Sequence, residues 1–237
     1  MTKPHETWTV VPHGPLEKLG QNLYTVTGKL AMPLGETTRR MTVARLANGD
    51  VLLYSPIALA EPEMKQLDGI GPVRYLVVPR GNHRLDLKGY KARYPTASIV
   101  APAGAKDDVG EVVPVDRTSL ETNDPDVVVE VVPGTAEREL SLMVTTETGK
   151  TLAVADLIFN LPEIPGIAGL GLKALGFKPG HAVQPWIVKR GLVDDEEAMK
   201  RFLARCAADP ALERILPAHG EVIDDPKPIL RKLSGST

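Results

Sequence analysis

A chain of 237 residues, 43% hydrophobic and 24% charged, is long enough to bury a sizeable core without disulfide or metal staples. Its formal net charge of −2 gives no basic stripe of the kind nucleic acids require, so no nucleic-acid partner is expected. The one cysteine, Cys206, excludes an internal disulfide and fits a reducing compartment.

Met1 to Val11 carries Lys3, His5 and Glu6 and no long apolar run, so no secretory signal is expected and the location is read as cytoplasmic. Asn22 to Thr27 and Met41 to Ala47 roughly alternate apolar and polar residues, as half-buried strands do. Asn48-Gly49-Asp50 then predicts a hairpin into Val51 to Tyr54. Ala60 to Leu67 predicts a short helix with Pro62 in its first turn. Val73 to Pro79 is a buried strand, Gly81 to Asp86 a loop, Leu87 to Tyr94 a helix stopped by Pro95, and Ala97 to Ala101 a further strand. Strands follow over Asp126 to Val132, Glu139 to Thr145 and Thr151 to Ala155. Helices are predicted within Gly166 to Leu175, at Gln184 to Arg190 and at Asp194 to Ala208, the last with four acidic residues at its dipole-positive end. Glu213 to Pro217 is a final short strand.

Leu161 to Phe177 is the most apolar stretch, but prolines, glycines, Glu163 and Lys173 interrupt it, so it does not read as a membrane span and no membrane partner is expected. Its composition suits a lid over a cleft or an interaction surface. Repeats and interdomain linkers are absent from the sequence, and residues 1–237 read as one domain. Strands flanked by helices, then strands and helices again, predict an α+β fold of two sheets with helices outside them.

Three segments at predicted strand ends carry the chemistry: Pro79-Arg80-Gly81-Asn82-His83-Arg84-Leu85-Asp86, then Thr151 to Asp156, then Leu216-Pro217-Ala218-His219-Gly220. Each alone has a structural reading. His83 can hydrogen-bond within its loop, and Asp86 can cap the helix beginning at Leu87. Asp156 can accept backbone N–H bonds, and His219 can bond the same carboxylate in a metal-free cluster. Cys206 sits in a helical pattern and reads as a buried small hydrophobe. His5, His13 and His181 read as exposed. Ser55 lacks a Gly-x-Ser-x-Gly setting, and Gly169 to Ala174 fits a loose dinucleotide fingerprint but follows no strand.

Taken together, in this order, the three segments resemble the metallo-β-lactamase superfamily, and most closely its uncharacterised members with a degenerate metal-binding motif. The resemblance implies a four-layer αββα sandwich with the three loops at one edge. In one register of the superfamily's His-x-His-x-Asp-His motif, Gly81 replaces the first His, His83 keeps the second, Leu85 replaces the Asp and Asp86 the last His. A register one residue later puts Asp86 on the Asp and leaves His83 off-position. Thr135 stands where a further His would be, while Asp156 and His219 keep the bridging carboxylate and the final His. One of the two metal sites then lacks ligands. The other would be built from Asp86, Asp156 and His219, with His83 as a further ligand or a catalytic acid/base. Such a set suits one Zn(II), Fe(II) or Mn(II), or no metal at all. The ligand count favours a non-catalytic or small-molecule-binding protein, and the alternative is a mononuclear metal-dependent hydrolase.

Overall fold

The computed structural model describes residues 3–32 and 35–236. Strands β1 (Glu17–Lys18), β2 (Leu23–Met32), β3 (Gly35–Arg45), β4 (Val51–Tyr54), β5 (Val73–Val77) and β6 (Ser98–Val100) form one sheet in chain order. It is antiparallel through β4 and parallel from β4 to β6. Strands β7 (Val127–Val131), β8 (Leu140–Thr145), β9 (Lys150–Val154) and β10 (Leu212–Pro217) form the second sheet, in the order β10-β9-β8-β7, with β10 parallel to β9. The helices are α1 (Glu61–Ile70), α2 (Leu87–Arg93), α3 (Lys106–Gly110), α4 (Gly166–Ala174), α5 (Trp186–Leu192), α6 (Glu196–Ala208) and α7 (Lys227–Ser234).

Strand periodicity divides the apolar residues into three cores. On β4, Leu52 and Tyr54 face the second sheet and meet Leu140, Leu142, Val144 and Ala153. Their neighbours Val51 and Leu53 face outward onto Met64 and Leu67 of α1 and Leu87 and Tyr90 of α2. The outer face of the second sheet, with Leu152 and Val154, packs on Met199, Phe202, Leu203 and Cys206 of α6 and on Leu230 of α7. Three stacked cores define four layers, αββα.

Helix α6 forms because its apolar residues recur at helical spacing and the Asp195 side chain accepts the Ala198 N–H at 3.0 Å, capping the N-terminus. The hairpin into β4 turns through a loop over residues 46–50, with Gly49 at φ 91°. The β2–β3 hairpin is longer than the alternation in the sequence suggests, and α7 was not anticipated.

Candidate metal centre

Each site side chain leaves the end of a strand. Arg80, Asn82 and His83 lie in the loop after β5, Asp156 follows β9, and His219 follows β10. The last two strands are adjacent and parallel, so their C-terminal ends carry Asp156 and His219 to the same edge. Gly220 closes the third loop at φ 102°, where a Cβ would stand 2.0 Å from the Asn160 carbonyl oxygen, so only glycine fits. From β3, the Arg40 guanidinium donates to the carbonyls of Pro217 (3.2 Å) and Gly220 (2.9 Å) and fixes the loop against the first sheet.

His83, Asp156 and His219 form a group in which one ligand atom of each lies within 4.8 Å of the others. Asp156 Oδ1 stands 3.4 Å from Nε2 of His83 and 3.4 Å from Nε2 of His219. Every remaining heteroatom of the three is held from outside. His83 Nδ1 is 2.9 Å from the Ser55 hydroxyl, and His219 Nδ1 donates to the Thr38 carbonyl at 2.8 Å. Asp156 Oδ2 accepts from Arg80 at 2.9 Å and from Asn82 at 3.1 Å. Ser55 itself has φ 57°, a conformation uncommon outside glycine and costly to hold, which aims its hydroxyl at His83. Phe159 stacks on the His219 ring with centroids 5.3 Å apart, and Phe177 meets Phe159 edge-on at 5.1 Å. The apolar 161–177 stretch therefore reaches the rim of the site.

Burial holds the His83 imidazole below its usual range, although the Asp156 carboxylate pulls the other way. Burial also opposes protonation of His219, but its bond to Asp156 and that carboxylate's charge outweigh this and raise its pKa. Burial likewise opposes ionisation of Asp156, yet the two imidazoles hold its carboxyl well below the usual range. Beneath the site lies Glu139, which no sequence motif singles out. Its carboxylate accepts the backbone N–H groups of Ala155 (3.0 Å), Asp156 (3.1 Å) and Leu157 (3.0 Å) and so fixes the Asp156 loop. Burial, reinforced by the Asp156 charge, pushes the Glu139 carboxyl up to about 8.

Asp86 does not join this group. Its carboxylate pairs with His5 Nδ1 at 2.7 Å and with the buried Arg39 guanidinium. It stands at the N-terminus of α2 but makes no side-chain cap bond there, because His5 and Arg39 take both oxygens. His5 and His13 are half-buried and not exposed: His13 Nε2 accepts the Ala60 N–H at 2.8 Å. His181 is exposed. Thr135 turns away from the site, its hydroxyl donating to the Val132 carbonyl at 2.7 Å. At Gly81 a Cβ would stand 2.6 Å from a carboxylate oxygen of Asp108, so that side chain occupies the space a larger residue would use.

Solved structures share this architecture over nearly the whole chain. The mono-zinc form of the metallo-β-lactamase FIM-1 from Pseudomonas aeruginosa superposes with a TM-score of 0.60 at 15% identity, covering 95% of this chain and 96% of that one. A metallo-β-lactamase from Pontibacter korlensis gives 0.59 at 13% identity, with 94% and 99% covered. One from Hirschia baltica gives 0.58 at 14%, with 94% and 97% covered. The chain has the metallo-β-lactamase fold. No protein-family model and no curated protein matches its sequence. Metallo-β-lactamase-fold geometry thus accounts for the convergence of the three loops, while the side chains on them are this chain's own. Among the described residues no helix is long and apolar enough to cross a membrane.

Proposed function

We propose that the chain is a mononuclear metal-dependent hydrolase whose one divalent cation is held by His83, Asp156 and His219. The observation that carries this reading is the pairing of lone pairs. The Thr38 carbonyl only accepts, so His219 Nδ1 bears the hydrogen, and Nε2 presents a lone pair once the ring gives up the second proton that Asp156 favours on it. That lone pair faces the Asp156 carboxylate oxygen at 3.4 Å. Either a proton or a metal ion must lie between these two acceptors. A proton would draw them to roughly 2.7–2.9 Å. A tetrahedral ion with ligand bonds of about 2.0–2.1 Å separates its ligands by about 3.3–3.4 Å. The outer bonds from Thr38, Ser55, Arg80 and Asn82 orient the set as supporting residues do around metal ligands.

Two imidazoles and one carboxylate with open positions suit Zn(II), Fe(II) or Mn(II). When bound, such an ion supplies a Lewis acid and a nucleophilic water source near neutral pH. The protein's own residues do the rest. Phe159 shields one face of His219 from water. Arg80, about one-fifth exposed, keeps donors beyond its bond to Asp156 that suit an anionic group on a small-molecule substrate. With both nitrogens engaged and burial opposing protonation, His83 takes the ligand role of the two that the sequence left open, ligand or acid/base. Asp86 is left out of the ligand set. The three cores share their sheets, and we read the chain as one domain.

A second reading, a metal-free ligand-binding protein, draws on one observation: Arg80 and Asn82 already satisfy Asp156 Oδ2, and the Arg80 charge offsets that of the carboxylate. Elemental analysis of protein purified without chelators separates the two. The metal reading expects about one ion per chain, lost in Asp156→Ala. No metal in the parent protein, together with no rise in Tm on adding Zn(II), Fe(II) or Mn(II), leaves the binding reading.

A further inference from the structure

Helices α4 and α5 meet end to end beside the site. The Trp186 indole N–H donates to the Ala174 carbonyl at 3.0 Å, and the Ile187 N–H reaches the Leu175 carbonyl at 3.4 Å. The indole therefore lies against the C-terminal end of α4. On this unit four large apolar side chains face solvent: Ile167 is 89% exposed, Leu170 66%, Trp186 49% and Ile187 39%. Only two others among the described residues, Val10 and Val128, belong to the same class, so the exposed apolar surface is concentrated here. Ile167 and Leu170, three residues apart on α4, share a face.

The charge of the same segment is one-sided. Between Glu163 and Asp194 the chain carries Lys173, Lys178, Lys189 and Arg190 and no carboxylate, in a protein whose overall charge is negative. Lys189 pairs with Glu196 at 2.7 Å. Lys173, Lys178 and Arg190 are exposed, and none of the ion pairs among the described residues uses them. An apolar face with a half-exposed tryptophan, on a segment whose own charges are all cationic and whose only neighbouring carboxylates beside Trp186, among the described residues, are Asp194 and Glu196, is complementary to one kind of surface, the boundary of an anionic bilayer. Aliphatic side chains enter the acyl region there, indole sits at headgroup level and ammonium groups meet phosphates. An acidic protein would use the cations but has less use for an isoleucine nine-tenths exposed.

We infer that the α4–α5 unit docks the protein peripherally on an anionic lipid surface through Ile167, Leu170, Trp186 and Ile187, with Lys173, Lys178 and Arg190 on the headgroups. This departs from the absence of a membrane partner expected from the sequence, but it involves no spanning helix. Phe177, just beyond α4, touches Phe159 on His219, so docking sets the rim of the His83–Asp156–His219 site at the lipid boundary. The inference does not depend on whether that site holds a metal.

The test is co-sedimentation and tryptophan emission of the full chain with vesicles of equimolar phosphatidylglycerol and phosphatidylcholine, against pure phosphatidylcholine. The anionic vesicles should bind the protein and shift its emission to the blue, and Trp186→Phe should remove the shift, since the other tryptophan, Trp8, is packed on Tyr90. Binding should weaken with salt and fall about 25-fold in Lys173→Gln/Lys178→Gln, about fivefold per lost cation. The lysines are exposed and make no ion pair among the described residues, so the double lysine variant should keep the parent circular dichroism and Tm, while Trp186→Phe, which gives up the bond to Ala174, should keep the circular dichroism. Equal binding to both vesicles, no binding to either, or full binding by the double lysine variant overturns the inference. So does a stable dimer in sedimentation velocity that Ile167→Ser/Leu170→Ser dissociates, which would give the face to a second copy of the chain.

Discussion

His219 Nε2 stands 3.4 Å from Asp156 Oδ1, while the opposite nitrogen of the same ring is committed to the Thr38 carbonyl. One ring thus links a strand of the first sheet to a carboxylate of the second. Its charge state decides whether that link is attraction or a clash of lone pairs.

Asp156→Asn exposes this dependence. The variant keeps the size of the side chain but loses the charge that Arg80, His83 and His219 face. Loss of one partner from a fully buried charge pair costs roughly 3–5 kcal/mol. Arg80 is partly solvated, so the metal-free variant is expected to lose about 2 kcal/mol, read by urea denaturation with chelator present. The rise in Tm that Zn(II) is expected to give the parent protein should vanish in the same variant.

Asp86→Ala separates a structural carboxylate from a ligand. It strands the buried Arg39 guanidinium, two of whose nitrogens already lack a hydrogen-bond partner. The expected cost is about 3–5 kcal/mol of stability. Metal content of the folded variant should match that of the parent. If the metal is lost while the fold is kept, Asp86 belongs among the ligands.

Glu139→Gln tests the clamp under the site. Above about pH 8, where the Glu139 carboxyl is ionised, it accepts three backbone N–H groups, whereas an amide turns one end into a donor facing donors, so the comparison is made at about pH 9. Stability should fall by about 1–3 kcal/mol. Metal affinity, measured by competition with a chromophoric chelator, should fall about 10–100-fold, because the Asp156 backbone is no longer fixed.

Cys206 supplies a pH test remote from the site. Burial pushes its thiol up to about 11, with the Arg205 charge opposing. Alkylation of the native protein by iodoacetamide should therefore be negligible at neutral pH and rise about tenfold per pH unit until near 11. A thiol raised above its unfolded value stabilises the fold fully below that value, and the contribution is lost as pH rises through about 11. Cys206→Ala should make the alkaline unfolding limb shallower.

The strand-end positions of His83, Asp156 and His219 were legible in the sequence because a short apolar run precedes each of them. The partners that give the site its character were not. Glu139 contacts backbone 16 to 18 residues further along the chain, and Arg80 reaches a carboxylate 76 residues away. Asp86 misled for the opposite reason. It stands where a helix cap or a metal ligand would stand, and only the fold brings His5, 81 residues away, and Arg39 onto it. Helix α7 escaped notice because Pro226 and Pro228 flank its first residue, a signal shared by loops and helix starts.

The Arg40 guanidinium, seated on the carbonyls of Pro217 and Gly220, makes the rim of the sandwich a polar seam where the interior is a greasy one. Polar seams exchange their bonds with water far more readily than apolar ones. Breathing of the two sheets should therefore begin at this edge, and whatever occupies the His83–Asp156–His219 corner acts as a rivet across it. Amide hydrogen exchange at Arg40 and Ala218 would then report occupancy of that corner without any turnover being followed.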